Sequence, residues 1–593
     1  MKNASTIVAL ALVMACVDGD VSEIEFTVDT HVEDWRDEVI YQLMVDRFAN
    51  GNAGNDFRLD PNPLSLGRFK GGDWQGVIDQ LDYLEELGVT TLWISPIIRN
   101  VDTDAGFDGY HGYWAQHLER VNPHFGDLAT LRRMVDECHA RDIKVVLDIV
   151  TNHLGQVYFY DVNMNGRPDE FLSGGFPTNP GDPQAPPGSP VTRITEFDPD
   201  YDPRGVQAIT SLGEAGPAPV RFFDLPEIFR VPPEPAVFQR PESYNRRGKV
   251  TDWGSREQVV LGDFPGGLKD IDTTNLEVRD EMVRVYSDWV LKLDLDGFRI
   301  DTIKHVEHEF WQDFSRRVRE RVAVGGKTNF LMFGEAFDGD DVLVGSYTFP
   351  GELDSVFYFP QKFQVFDNVF ADGGATSAVQ RLFDARASNY GTEAQPGGIG
   401  IAPTSALVNF IDNHDVPRFL WRQPDARALR AALGFLLTEE GIPCIYYGTE
   451  QDFNGGNDPG NREPLWWSDY RTDGETFRWI ARLNRVRARY APLRRGDMVF
   501  RWTTDRTGDA VDAGILAFER TIGEERALVV INAQGAHASR TSFEGTAMSV
   551  GMSGAIVDVL SGDRFTVDAG TLDVEVGPFG VRIFVPEAQF VAE

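Results

Sequence analysis

Residues 296–305 read DGFRIDTIKH, and how this stretch is read decides the fold. A run with strand-like alternation, Val290 to Asp296, leads into it. Arg299 and Asp301 stand two apart, so on an extended strand their side chains share one face. A guanidinium beside a carboxylate favours its ionised form. Lys304 and His305 follow directly in the same stretch. Taken alone, the stretch is equally a surface ion pair at a strand end, which contributes little. Its neighbours along the chain decide between the two.

Outward from this stretch, short apolar strands alternate with amphipathic helices. Strands are expected at Val39–Val45, Thr91–Ile94, Lys144–Val150, the stretch itself, Phe330–Phe333, Ser355–Phe359, Ala406–Ile411 and Ile442–Tyr447. Helices are expected at Gly76–Leu87, Leu128–Arg141, near Val278–Leu293 and around Phe310–Val322. Strands that read as continuous apolar runs between helices imply a parallel sheet covered on both faces. Eight such units imply a (β/α)₈ TIM barrel, whose chemistry sits at the C-terminal strand ends. The polar residues gather there: Asp46, Asn152-His153, Asp301, Glu335 and His414-Asp415.

Two stretches break the alternation. Residues 154–262 follow the third strand, are rich in Pro and Gly (GDPQAPPGSP), and are too long for a plain loop. They are expected to form an irregular inserted domain B between barrel segments 35–153 and 263–490. From 491 to 593 short strands with Gly-rich turns predict a C-terminal antiparallel β-sandwich. These strands are Gly514–Phe518, Ala527–Ile531, Ile556–Leu560, Phe565–Val567 and Val581–Val585.

The 593 residues are too many for one ordinary core, so roughly two to four domains are expected. The formal charge of −36 and pI near 4.6 argue against nucleic acid or an anionic surface as partner. They suit a neutral substrate and bound cations. Lys2 and the short apolar run Thr6–Ala15 fit a secretory signal, too short to span a bilayer. Val13-Met14-Ala15-Cys16 resembles a bacterial lipoprotein cleavage box, with Cys16 as the lipidated first mature residue and a membrane tether; plain secretion is the alternative. Either way the chain is expected to be exported, to a cell surface or outer membrane or into the medium, and to be a monomer. The acidic, unpatterned segment 17–34 reads as a linker. Of the three cysteines, Cys138 and Cys444 fall on apolar elements and are expected to be inert core thiols.

Three carboxylates stand at strand ends: Asp301 in GFRIDTIKH, Glu335 in FGEAF and Asp415 in FIDNHD. Retaining glycoside hydrolysis needs two carboxyl groups about 5 Å apart, one as nucleophile and one as acid/base. Glu335 lies between Met332, Phe333 and Phe337, where desolvation would hold its proton. Asp301 has Arg299 beside it and is expected to stay charged. One lone acid is most simply a solvated strand end. Three at barrel strand ends make that reading weak.

The chain resembles the α-amylase family of retaining glycoside hydrolases from about 38 to 593. The matching motifs are YHGYW at 110–114, DIVTNH at 148–153, LKDID at 268–272, GFRIDTIKH at 297–305, FGEAF at 333–337, FIDNHD at 410–415 and GGNDPGNRE at 455–463. The resemblance implies that Asp301 is the nucleophile, Glu335 the acid/base, and Asp415 a clamp on ring hydroxyls. It implies that Arg299 orients Asp301, His153 and His414 bond sugar hydroxyls, Tyr113 stacks on the sugar, and His111 shapes the subsite. Lys304 and His305 would contact the neighbouring glucose on the leaving side, and Trp114 is a reasonable further platform. His117, His139 and His308 are expected to be satisfied core imidazoles.

The resemblance also implies calcium, a cation of six to eight oxygen ligands. Asn152, Asp270 and the carbonyl of His305 would form one site between barrel and insert. Asn50, Asn52, Asn55, Asp56, the Gly71 carbonyl and Asp73 match a calcium loop of cyclodextrin-forming relatives, with Asn50 where that loop usually has Asp. Asp161, Asn163, Asn165 and Asp169 follow an EF-hand-like spacing, but Leu172 stands where the bidentate Glu should be, and an Asx-rich turn is the equal alternative. The expected function is endo-hydrolysis of α-1,4-glucosidic bonds in starch-like α-glucans and maltooligosaccharides, with retention. The rivals are a cyclodextrin-forming or oligosaccharide transglycosylase, and an inactive glycan-binding protein on the same fold. The complete set Arg299, Asp301, Glu335 and Asp415 speaks against the last.

Overall fold

The computed structural model describes residues 28–60, 62–104, 106–161, 217–226, 230–264 and 266–591. Eight parallel strands form one sheet: β1 (Ile40–Leu43), β2 (Thr91–Ile94), β3 (Lys144–Ile149), β4 (Gly297–Ile300), β5 (Leu331–Gly334), β6 (Ser355–Val356), β7 (Val408–Phe410) and β8 (Ile442–Tyr446). They pair in the order β6-β5-β4-β3-β2-β1-β8-β7. A parallel bridge between Phe357 and Val408 joins the two edges and closes the barrel. The covering helices are α1 (Leu81–Leu87), α2 (Leu128–His139), α3 (Leu276–Leu293), α4 (His308–Val324), α5 (Asp341–Ser346), α6 (Ser377–Asn389), α7 (Ala426–Leu436) and α8 (Glu475–Arg489).

Strand alternation sorts the side chains. Ile40, Trp93, Val146, Leu331, Phe333, Val408, Phe410, Ile442 and Cys444 share the core inside the barrel. Tyr41, Leu43, Leu92, Ile94, Val145, Leu147, Phe298 and Ile300 belong to the core under the helices. Both faces are therefore buried, which is why the strands read as continuous apolar runs. Cys138 and Cys444 are buried free thiols.

Three expectations need correction. Val290–Leu293 is not strand. It is the last turn of α3, which Asp294 ends in the left-handed conformation, and β4 starts only at Gly297. The helix expected at Gly76–Leu87 is two helices, Trp74–Asp79 and α1, broken at Gln80. The described end of the linker, residues 28–34, is docked. Val28 and Val32 are buried, the Asp29 N–H donates to Asp294 Oδ1 at 3.0 Å, and Asn329 Nδ2 donates to the Val32 carbonyl at 2.7 Å.

The inserted segment carries only short elements in its described parts: Tyr158–Tyr160 pairs antiparallel with Val220–Phe222, and a helix spans Arg256–Leu261. Its cap, Ser255, accepts from the Gln258 N–H. The C-terminal region holds a six-stranded antiparallel sheet made of β9 (Asp497–Trp502), β10 (Ile515–Ile522), β11 (Glu525–Asn532), β12 (Gly554–Asp558), β13 (Arg564–Val567) and β14 (Val581–Pro586). Ile515, Ala517, Leu528, Val530 and Phe584 on one face pack against smaller strands through Met548, Leu572 and Val576. Leu516, Phe518, Val529, Ile531, Ile583 and Val585 on the other face join the main core beneath the barrel helices.

Candidate active site

β3, β4 and β5 deliver the central residues. In the register of the barrel, Arg299 lies opposite Asp148 on one side and Phe333 on the other. Arg299 and Asp301 do share the inward face. Arg299 Nη1 donates to Asp301 Oδ1 at 2.9 Å and to Asp148 Oδ1 at 2.8 Å, and Nη2 lies 2.7 Å from Glu335 Oε2. One fully buried guanidinium thus touches three carboxyl groups.

Burial raises all three, and Arg299 opposes the rise. Asp301 is pushed up to about 6 and Glu335 to about 8, both by desolvation first. Asp301 is expected to stay charged beside Arg299; desolvation outweighs the ion pair and raises it, and at about 6 it is still mostly ionised at neutral pH. The order stands, with Glu335 above Asp301. Asp415 is held below its usual value: burial works against this, but His414, Arg462 and Arg299 together outweigh it. Thr302 takes a left-handed conformation (φ 50°), unfavourable for a β-branched residue, and turns its N–H to Glu335.

The histidines are neutral donors. Burial lowers His153 to about 4 and His414 to about 3, and lowers His111 as well. Gln42 Nε2 donates to His414 Nδ1 at 2.7 Å, so the His414 proton sits on Nε2, 3.1 Å from Asp415 Oδ2. His111 Nδ1 accepts from the Tyr113 N–H at 3.1 Å. Asn152 Nδ2 lies 3.1 Å from His153 Nδ1, and among the described residues the buried His153 Nε2 has no hydrogen-bond partner. Tyr113 stacks on His414 with ring centroids 5.3 Å apart and donates its hydroxyl to Asp148 at 2.8 Å. Gly112 makes this corner: its φ is 91°, and a Cβ there would lie 2.6 Å from the Pro96 carbonyl oxygen.

His111, Tyr113, His153, Asp301, Thr302, Glu335, His414 and Asp415 line one cavity of about 300 Å³, together with Trp114, Lys304, His305, Phe264, Leu268, Phe337, Asp458 and Arg462. Lys304 Nζ is 3.4 Å from Asp338 Oδ2, which ties it to the loop after β5. Sequence reasoning gave no role to Asp148 or Arg462, although both lie inside quoted motifs. Asp148 also accepts from Trp93 Nε1 at 3.0 Å. Arg462 donates to the His414 carbonyl at 3.1 Å and to Asp415 Oδ1 at 3.3 Å.

The three expected metal sets differ. Asp270 and His153 are register partners, and the Ile271 N–H donates to the Asn152 carbonyl at 2.9 Å, so Asn152 and Asp270 adjoin. Among the described residues the buried Asp270 Oδ1 has no hydrogen-bond partner, and desolvation plus Asp263, Glu307 and Asp272 push its pKa well up. A buried, acid-ringed carboxylate oxygen without a partner fits a cation. The Arg256 guanidinium donates to the carbonyls of Lys304 and Val306, on either side of His305. In the second set Asn50 Nδ2 donates to both Asp56 oxygens at 3.0 and 2.9 Å, and Asp73 accepts from the N–H groups of Gly51, Asn52 and Gly76 at 3.1, 2.8 and 2.6 Å. With its amide nitrogen turned inward, Asn55 donates to Asp73 at 3.3 Å. A Gly71 Cβ would lie 2.5 Å from Asp56 Oδ1, so the set does converge, but its carboxylates are already served by N–H groups. In the third set Asp161 accepts from Arg221 Nε at 2.8 Å; Asn163, Asn165 and Asp169 lie outside the described residues, as does Cys16.

The family model described as "Alpha amylase, catalytic domain" matches residues 42–185 and 228–487, well over half of the chain. The chain belongs to the α-amylase family of glycoside hydrolases. Residues 509–583 of this family member match "Maltogenic Amylase, C-terminal domain". It is 31% identical to an "Alpha-amylase" of Streptomyces lividans over 78% of this chain and 50% of that protein. It is 28% identical to a "Cyclomaltodextrinase" of Geobacillus thermopakistaniensis over 94% of this chain and 78% of that protein. The chain spans only 38% of a further relative, the "Beta/alpha-amylase" of Paenibacillus polymyxa. Among solved structures, the α-amylase of Geobacillus thermoleovorans complexed with acarbose superposes with a TM-score of 0.67 at 25% identity, covering 93% of this chain and 99% of that one.

Proposed function

We propose that the chain hydrolyses internal α-1,4-glucosidic bonds of starch-like α-glucans with retention of configuration. The observation that carries this is the single Arg299 guanidinium holding Asp301 and Glu335 together while burial sets Glu335 near 8 and Asp301 near 6. At neutral pH that pair is one carboxylate and one carboxylic acid. Asp301 Oδ attacks the anomeric carbon as the glycosidic C–O bond breaks, and the Glu335 proton passes to the leaving oxygen. Water then gives its proton to Glu335 and its oxygen to the anomeric carbon, and the bond to Asp301 breaks. The buried carboxylates stabilise the positive charge of the oxocarbenium-like transition state. Asp415 and the neutral His153 and His414 grip ring hydroxyls. Tyr113 and Trp114 offer apolar faces.

Calcium belongs to the same proposal at the first set. Asp270, Asn152 and the His305 carbonyl would hold it, and it would supply a fixed positive charge between insert and barrel. The chain's own part is to present that carboxylate and to fix the Lys304–Val306 loop through Arg256. We further propose export with lipidation of Cys16. Mass spectrometry of the mature N-terminus tests this, and an unmodified Cys16 in a cell-associated chain refutes it.

A cyclodextrin-acting enzyme is the second reading, favoured by the cyclomaltodextrinase relative. A time course on soluble starch, pullulan and cyclodextrins, with the anomer followed by NMR, separates the two. Linear maltooligosaccharides released first as the α-anomer support the proposal. Mainly cyclic products, or β-anomers, refute it.

A further inference from the structure

At the opposite end of the barrel from the active site, four segments bring titratable groups together before the strands begin. They are the docked lead-in (His31), the last residue of α2 (His139), the turn between α3 and β4 (Asp294, Asp296) and the turn before β5 (Lys327). His31 Nε2 lies 2.9 Å and His139 Nδ1 3.7 Å from the same oxygen, Asp294 Oδ2. The two imidazole rings stack with centroids 3.7 Å apart. His139 Nε2 lies 2.8 Å from Asp296 Oδ2. Lys327 Nζ takes the remaining oxygens, Asp294 Oδ1 at 2.7 Å and Asp296 Oδ1 at 3.0 Å.

We propose that this cluster binds one transition-metal ion of the zinc class through His31 Nε2, His139 Nδ1 and Asp294 Oδ2. The three atoms lie within 4.8 Å of one another. Tetrahedral bonds of about 2.0–2.1 Å place ligand atoms roughly 3.3 Å apart, and the observed 2.9 and 3.7 Å straddle that edge. Asp296 accepts the Nε2 proton of His139, which leaves Nδ1 as the lone pair facing Asp294. This is the carboxylate–histidine–metal arrangement that orients a ligand. Lys327 occupies the far side of Asp294 and leaves one oxygen for a monodentate bond. Two imidazoles and one carboxylate oxygen are a zinc-type donor set, unlike the all-oxygen shell calcium requires. Asp294 is also the αL cap of α3 (φ 61°), a position that glycine fills without strain. An aspartate there supplies a side chain that glycine lacks. The ion would clip the lead-in to the floor of the barrel. His139, expected to be a satisfied core imidazole, is hydrogen-bonded through Nε2 to Asp296 and belongs to this cluster through Nδ1.

The test is a calorimetric titration of the full chain, in calcium-saturated buffer, with zinc chloride, comparing wild type with His31→Gln. His31 is far from the catalytic machinery, and its side chain is a quarter exposed, so the fold and glucan hydrolysis of the variant stay as in wild type. The expected result is one zinc equivalent in wild type that is absent in His31→Gln or weakened at least about tenfold. Cobalt(II) at the same site gives visible tetrahedral absorption bands that the variant lacks, and zinc raises the Tm of wild type more than that of the variant. Asp294→Asn, tested in parallel, should behave like His31→Gln. Equal zinc stoichiometry and affinity in wild type and His31→Gln overturn the proposal and leave an ion-pair network closed on itself.

Discussion

Replacing Arg299 with Gln should move the whole pH–activity profile to the alkaline side, and not merely lower it. Arg299 is fully buried and contacts Asp148, Asp301 and Glu335. It lowers both carboxyl groups proposed as catalytic against their desolvation, to about 6 for Asp301 and about 8 for Glu335. The acid limb of kcat/KM reports the nucleophile and the basic limb the acid. Because the two groups interact, both limbs are macroscopic values of the pair. An opposite charge at this range lowers a carboxyl by about 1–3 units, so its loss carries the Asp301 limb to roughly 7–9 and raises the Glu335 limb with it. At pH 7 the ionised fraction of Asp301 falls from about nine-tenths to between about one-half and one-hundredth. Removing one partner of a buried charge set also costs about 3–5 kcal/mol, so folding must be checked by near-UV circular dichroism below the variant's Tm. Arg299→Lys keeps one charge but not the fork that reaches several carboxyl groups, and should give a smaller shift. The assay is kcat/KM for a maltooligosaccharide from pH 5 to 10. A folded Arg299→Gln protein with both limbs unmoved and only a lower plateau would sink the electrostatic account and leave Arg299 as a spacer.

Glu335→Gln should lower kcat by about 10²–10⁴-fold while calorimetric binding of a maltooligosaccharide is retained, and unchanged turnover refutes its role. Chelating calcium should lower Tm, by about 4 kcal/mol of stability for a site held at a thousand times its Kd, and Asp270→Asn should melt alike with and without chelator. An identical Tm for chelated and calcium-loaded wild type excludes the structural ion. Glu439 is buried beside Arg386, and desolvation pushes it up to about 8. Its folded pKa exceeds its unfolded value, so its contribution is fully present below about 4.3 and lost as pH rises through about 8. Melting curves of Glu439→Gln against wild type across pH 4 to 9 should show wild type losing ground as pH rises, by on the order of 5 kcal/mol in all; a constant difference refutes it.

Much of this was legible in the residues, for physical reasons. Strands buried on both faces leave continuous apolar runs, and the chemistry follows each run directly, as in FGEAF after Leu331–Phe333. The misses have physical causes too. LKLDLD alternates like a strand, yet its first half closes α3, because Asp294 tolerates the left-handed turn that ends the helix. Asp148 sits inside a strand, where a lone acid gives no sign that it will meet Arg299, Tyr113 and Trp93. Arg462 reaches Asp415 from a loop 47 positions later, a contact that no local pattern encodes. The lead-in 28–34 is anchored by Val28, Val32 and the polar hooks Asp29, Thr30 and His31, a scatter with no periodicity that marks an anchored segment.

The C-terminal sheet, apolar on both faces, bears on how the enzyme can be altered. Leu516, Phe518, Val529, Ile531, Ile583 and Val585 complete the barrel's own helix layer, and Arg520 donates across to the Thr438 carbonyl at 2.8 Å. A chain cut near residue 490 would therefore bare a greasy patch on α7 and leave that carbonyl without its donor. The last hundred residues share the main core with the barrel helices. They work as a keystone, so shortening the protein from this end should yield aggregates rather than a minimal amylase.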